Sequence, residues 1–260
     1  MLTVISPAKK LDWDVTRDAA ATPQFQGEAN ILADHVRALP LADLKALMGL
    51  SDTLAKLTRD RFRDMAPAPD ADNSRPAIRV FAGDTYQGLD ARSLDDDALR
   101  HAQEHLRILS GLYGLLRPLD AVQAYRLEMG SRLATERGRT LYAFWGSRLS
   151  EALNAAARET GSRYLLNCAS KEYFGAVARD VLEPRVITPA FLERKEDGSA
   201  RMVSFHAKRA RGAMARFVAE RRIRDPEALE EFDSGGYAFA PEMSEPGAPV
   251  FVRPAAAGAA

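Results

Sequence analysis

The 260-residue chain carries one cysteine, Cys168. A lone thiol excludes an internal disulfide and a cysteine-built zinc site, and it suits a reducing compartment. Apolar residues never run on for the roughly 18 positions that a membrane-spanning helix needs. The opening MLTVISPAKK lacks a basic segment followed by a long apolar stretch, so Leu2–Ile5 reads as a buried strand and not as part of a signal peptide. The G-x-G-x-x-G and Walker fingerprints are missing, which leaves a nucleotide cofactor without support; no cofactor and no metal is expected. There is no internal repeat and no strong linker. The weakest point is Pro67–Pro76, PAPDADNSRP. The expectation is a soluble single domain over 1–253 with a flexible tail over 254–260.

Hydrophobic residues make up 46% of the chain, enough for a sizeable core. Formal net charge is zero, but the charges are segregated. Residues 1–105 hold 13 Lys/Arg against 17 Asp/Glu, residues 106–224 hold 22 against 12, and residues 225–260 hold 1 against 7. A middle block that is this basic between two acidic ones points to a polyanion-binding face.

Short β-branched or aromatic runs predict strands at Leu2–Ile5, Ile78–Phe81, Tyr164–Asn167, Arg185–Ile187 with Phe191–Leu192, and Met202–Phe205. Helical patterns cover about 28–38, 41–48, 52–64, 95–109, 147–159, 207–222 and 226–232, with Asp95–Asp97 placing carboxylates at a helix start. Strands scattered among helices without regular alternation predict an α+β fold of short mixed strands and surrounding helices.

Three segments carry functional signals. In Leu44–Leu57, LKALMGLSDTLAKL, two short apolar helices flank a Gly49-Leu50-Ser51 corner. The pattern is similar to a helix-hairpin-helix over about 41–60, with Ser51 in place of the second glycine. Backbone N–H groups of such a corner offer an anion site, and Lys56 and Arg59 would add charge. The plain alternative is an αα-hairpin with glycine in its turn. In Ala207–Arg224, AKRARGAMARFVAERRIR, residues Ala210, Met214 and Phe217 share one helix side, Lys208, Arg211 and Arg222 lie on another and Arg209 and Arg216 further round, so a broad cationic face is expected to track phosphates; the plain alternative is a solvated basic face. In Leu106–Gly130, Gly111 and Gly114 surround Tyr113, and Arg117, Tyr125, Arg126 and Glu128 follow. That mixture reads as a structured loop at a cleft, with Arg117 and Arg126 holding phosphate and Tyr125 stacking; the plain alternative is that Arg126 and Glu128 pair and brace the fold.

Several blocks resemble one family: Ile5-Ser6-Pro7-Ala8-Lys9 with Leu11-Asp12, Phe81 to Leu89 (FAGDTYQGL), Leu109–Gly130, Phe144-Trp145-Gly146, Asn167 to Ser170 with Glu172-Tyr173-Phe174, and Lys208 to Gly212 (KRARG). The chain is similar to the YaaA-like peroxide stress resistance family from its first residues to about Tyr237. Lys10 departs from the family, which often has Thr there. The resemblance implies a cytoplasmic bacterial protein induced by hydrogen peroxide. It further implies protection against iron-linked oxidative damage, sequence-independent DNA binding in a basic cleft, a helix-hairpin-helix, and a fold peculiar to the family. DNA is the expected partner, duplex or distorted; protein partners, DNA repair machinery among them, are left open.

Other signals suggest chemistry. His101-Ala-Gln-Glu104-His105 spells H-x-x-E-H, a loose zinc-peptidase pattern that an amphipathic helix also produces. Ser6-Pro-Ala-Lys9 spells S-x-x-K, without the elements that accompany it in serine–lysine enzymes; a serine cap at a strand end is the plainer reading. Cys168 reads as a buried, inert thiol. Asp84, Tyr86, Glu172 and Tyr173 are candidates to line a site for iron or a small molecule. Two rivals to DNA binding therefore stand: an enzyme acting on a nucleotide or small anion around Lys9, Asp84, Tyr86, Arg126 and Glu128, and an iron-sequestering protein. A compact pocket uniting those blocks favours the first rival; a broad groove favours DNA.

Overall fold

A computed structural model describes residues 1–16, 21–195 and 197–254. Its centre is a five-stranded sheet of β1 (Leu2–Ile5), β2 (Leu106–Ser110), β3 (Gly114–Leu116), β4 (Tyr164–Cys168) and β5 (Arg185–Ile187), in the order β3-β2-β1-β4-β5. β1 runs parallel to both neighbours, with Ile5 opposite Ile108 and Cys168. Its four residues, Thr3 among them, are all buried, as expected for a central strand covered on both faces. β5 is also parallel, whereas β3 returns antiparallel to β2 and forms an edge. A second sheet holds β6 (Ala190–Arg194), β7 (Ala200–Arg201), β8 (Ala238–Phe239) and β9 (Val250–Pro254), in the order β7-β6-β9-β8. Phe191 on β6 and Phe251 on β9 are paired in register, and with Phe232 and Tyr237 they form an aromatic cluster with centroids 5.4–5.8 Å apart. The expected α+β architecture of short mixed strands among helices is present, although the central sheet is mostly parallel.

The helices used below are α1 (Gln26–Arg37), α2 (Leu41–Met48), α3 (Asp52–Asp64), α4 (Asp84–Leu89), α5 (Asp96–His105), α6 (Arg148–Glu159) and α7 (Ser204–Arg221). α5 starts as its carboxylates foretell: Asp95 is its N-cap and accepts from Ala98 N at 2.7 Å. α7 packs against β1, β4 and β6, tying the two sheets together. It also crosses α4 at very short range. A Cβ on Gly88 would overlap the Arg209 carbonyl, and one on Gly212 would overlap the Thr85 carbonyl. Only glycine at both positions lets the two backbones touch. One continuous apolar core takes in residues from Met1 to Phe251.

Three expectations are corrected. Leu106–Leu109, read as a helix end, belong to strand β2. Arg107 is buried and its guanidinium donates to the Gln103, Glu104 and Leu106 carbonyls, closing α5 and starting the strand. Ile78–Phe81 is a helical turn, Ala77–Val80, followed by a two-residue strand, Phe81–Ala82, paired with Lys10–Leu11. In Met202–Phe205, Ser204 and Phe205 begin α7. Met202 and Phe205 stay exposed, so the run lacks the neighbour that would bury it as a strand. Of the expected tail, Pro254 closes β9, and 255–260 lie outside the described residues.

Candidate functional site

The chain leaves β1 for β2 on one side, then returns to place β4 on the other. Where strand order reverses in this way, the loops leaving neighbouring strands diverge and open a crevice at their carboxyl ends. Here the crevice is a cavity of about 440 Å³. Residues 6–10 after β1, residues 82–86 at the start of α4, Cys168 at the end of β4 with Ser170, Glu172 and Tyr173 beyond it, and Lys208 and Arg211 of α7 line it. Four sequence blocks far apart in the chain thus converge on one place.

Backbone and side-chain bonds fix the walls. Ser6 Oγ accepts from Ser170 N at 2.9 Å, joining the β1 and β4 loops. Ser170 caps the one-turn helix Lys171–Phe174. The Tyr86 hydroxyl donates to the Ser6 carbonyl at 3.2 Å. Glu172 Oε1 accepts from Gly130 N at 2.9 Å, bringing the Leu109–Gly130 block to the rim. In that block Glu128 pairs with Lys9 (2.7 Å) and with Arg126 (3.2 Å). The pairing links Arg126 and Glu128 to the cavity through Lys9.

Burial, followed by the neighbouring phenols, pushes the Tyr86 and Tyr173 hydroxyls up, so both remain neutral donors. Burial raises the Cys168 thiol to about 12 despite the nearby Arg211, which keeps it an inert thiol as expected. Among the described residues Lys10, Lys208, Arg209 and Arg211 form no ion pair. The site therefore carries cationic charge that its own carboxylates do not neutralise.

Two further cavities border α4. A small one of about 210 Å³ shares Lys10, Gly83 and Tyr86 with the first and reaches Asp12, Arg79 and Arg92. A larger one of about 560 Å³ lies on the other flank of α7, bordered by Arg209, Arg216 and Phe205. The basic helix is thus divided as its wheel suggests: Lys208 and Arg211 face the crevice, and Arg209 and Arg216 face the far cavity.

The structure brings Lys9, Asp84, Tyr86, Tyr173, Lys208 and Arg211 together and separates others from them. Arg117 follows β3, whose Leu116 pairs with Ile108; it sits toward the amino end of β2 against Glu159 of α6 (3.7 Å), away from the crevice. Tyr125 is buried, with its hydroxyl 2.7 Å from Ser110 Oγ and its ring against Phe81 and Tyr113, so it is a core residue and not a stacking platform. Arg216 is committed to structure: it donates to the Leu89 and Asp90 carbonyls and to Ser93, and it pairs with Glu220. Ser6 caps no helix; its partners are Ser170 N and Oγ, while Lys9 is paired with Glu128. The residues missed by sequence reasoning are Ser170, which only its pairing with Ser6 reveals, and Lys10, an exposed lysine beside Lys9.

At the hairpin, Gly49 caps α2 in the left-handed conformation (φ 60°), and Ser51 caps α3. Gly49 N and Leu50 N donate to the Ala46 and Lys45 carbonyls, and Leu54 N donates to Ser51 Oγ. Those amides are occupied, and Asp52, paired with Lys45, already places a carboxylate at the helix start. Lys56 is exposed, and Arg59 pairs with Asp60 at 3.1 Å. The His101 and His105 rings stack with centroids 4.0 Å apart. Among the described residues no group of three or more His, Cys, Asp and Glu is placed to hold a metal ion, and no helix is long and apolar enough to cross a membrane.

Fold and crevice define a class: a mixed α/β protein with a cationic crevice at the carboxyl ends of parallel strands. Within it, the chain belongs to the family described as peroxide stress protein YaaA, whose pattern matches residues 1–243. It is 60% identical over 255 residues to a UPF0246 protein of Dinoroseobacter shibae, covering 98% of this chain and 95% of that one. It is 62% identical over 255 residues to UPF0246 protein SPO0106 of Ruegeria pomeroyi, covering 98% and 99%. The family's name carries an oxidative-stress role; it does not say what the crevice holds.

Proposed function

We propose that this protein binds DNA without strong sequence preference, in defence of DNA against iron-linked peroxide damage. One observation carries the reading: Lys10, Lys208, Arg209 and Arg211 stand unpaired around α4, bordering adjoining cavities. Cations that no carboxylate approaches within ion-pair distance, three of them on the helix of a rigid crossing, suit a chain of phosphates, and phosphate contacts give affinity without sequence information. Titrating the protein with single-stranded, duplex and bubble DNA at two salt concentrations tests this. Steeply salt-dependent binding is expected. Salt-insensitive binding, or none, removes the proposal.

A second reading has its own support. The cavity of about 440 Å³ is compact and lies where parallel-sheet proteins hold small ligands. It unites Lys9 and Asp84 with two neutral tyrosines, and it suits an enzyme acting on a nucleotide or another small anion. A rise in melting temperature with a nucleoside monophosphate, lost in Lys208→Ala, supports this reading; no shift with any nucleotide counts against it.

A further inference from the structure

Phe205 is the only aromatic among the large apolar side chains left exposed in the described residues; its fractional exposure is 55%. It stands in the first turn of α7, on the rim of the cavity of about 560 Å³. Its ring lies 3.7 Å from that of His206, centroid to centroid. His206 is held in turn: it contacts Glu193, Glu193 takes two bonds from Arg253 (2.6 and 3.0 Å), and the Arg253 guanidinium lies over the Tyr237 ring, 5.2 Å from its centroid. The charges of that wall are satisfied among themselves. Arg209, one turn along α7, is not: it is exposed and forms no ion pair among the described residues. Gln87 and Ser234 line the same cavity, and among the described residues no side-chain hydrogen bond occupies either of them. An open aromatic face, one free guanidinium a helical turn away, and a free carboxamide are the three elements that recognise a base plane, a phosphate and a base edge.

We infer that this cavity binds a single unstacked nucleotide, with its base on Phe205, its phosphate on Arg209 and its base edge at Gln87. The inference deepens the DNA reading, since a phosphate-gripping surface alone has no use for an aromatic platform, and for nucleotides within a strand it rests on that reading. A free nucleotide presents the same chemistry, so the two sources are tested apart.

The experiment uses the full chain and its Phe205→Ala, Phe205→Tyr and Arg209→Ala variants, with three probes: adenosine monophosphate, a single-stranded oligonucleotide containing 2-aminopurine, and a duplex. The expected result is that Phe205→Ala weakens single-strand binding by roughly ten-fold or more, from the loss of one base–aromatic stack. It also abolishes the stacking-induced quenching of 2-aminopurine and leaves duplex affinity within about two-fold of the parent, while Phe205→Tyr restores both signals. Arg209→Ala weakens all phosphate-bearing probes. If Phe205→Ala changes neither single-strand binding nor adenosine monophosphate binding while salt-dependent duplex binding persists, the nucleotide site is overturned and the DNA reading survives. If neither DNA probe binds but adenosine monophosphate binds in a Phe205-dependent way, the site stands as a free-nucleotide site and the DNA reading falls.

Discussion

Gly88 and Gly212 are locked against each other's helices. A side chain on Gly212 would overlap the Thr85 carbonyl of α4, and one on Gly88 would overlap the Arg209 carbonyl of α7. This crossing sets Lys208 and Arg211 over the crevice. Gly212→Ala is therefore expected to cost about 1–3 kcal/mol through overpacking, seen as a fall of several degrees in melting temperature, and to weaken polyanion binding as α7 is pushed outward. A variant with unchanged stability and affinity would show that the crossing gives way freely.

Replacing Lys208, Arg209 and Arg211 together by alanine removes three unpaired cations. Affinity for all DNA sequences should fall alike, and the slope of log K against log salt should shrink by about 3, on the order of 0.9 for each phosphate that is no longer neutralised. Unchanged affinity in a salt titration would take α7 off the binding surface.

Glu128 neutralises Lys9 and Arg126 at once, at 2.7 and 3.2 Å. Glu128→Gln keeps the shape and removes the charge. Arg126 and Glu128 are both largely buried, so leaving the Arg126 guanidinium without its carboxylate should cost about 1–3 kcal/mol, while DNA binding should tighten as the exposed Lys9 is released. Weaker binding instead would mean that Glu128 holds Lys9 in place for a ligand, which favours the small-anion reading.

Stability should also depend on pH through His101. Burial first, then His105, the N-terminal amine, Arg222 and Arg224, lowers it from 6.5 to about 4. Below 6.5 the unfolded chain takes up a proton that the folded chain refuses. The contribution of neutral His101 is therefore full above pH 6.5 and is lost as pH falls toward 4. Asp120, raised by burial to about 6, acts in the opposite sense: what it contributes is present below its ordinary 3.8 and lost as pH rises through 6. Comparing His101→Phe with the parent isolates the first effect. Its melting temperature should fall less steeply between pH 7 and pH 4, and parallel curves would contradict the assignment.

Cys168 is buried at the end of β4 with its thiol raised to about 12. Hydrogen peroxide should leave it unmodified in the folded protein and oxidise it only after unfolding, as read by mass spectrometry of the Cys168 peptide. Fast oxidation of the native chain would make it a sensor after all.

Local rules made much of the chain legible. Leu2–Ile5 is mostly apolar and buried throughout because a central parallel strand is covered on both faces, and the α2 and α3 boundaries follow from Gly49 and Ser51 as caps. The opposed faces of α7 follow from spacing alone. Leu106–Leu109 was illegible because a short run that continues a helical pattern suits helix and strand equally, and the choice is made by β1 alongside it and by Arg107 capping α5.

The charge segregation, the single thiol and the basic faces of α7 were determined by the sequence itself, since composition and helical period depend on no distant neighbour. Tertiary structure alone decided which charges remain free. Arg117, Arg126 and Arg216 look as available in sequence as Lys208 and Arg211. Yet Arg117 faces Glu159, Arg126 shares Glu128 with Lys9, and Arg216 is bound to the end of α4. Pairing is a matter of distance between residues far apart in the chain, and only the reversal of strand order at β1, with the glycine crossing of α4 and α7, fixes those distances.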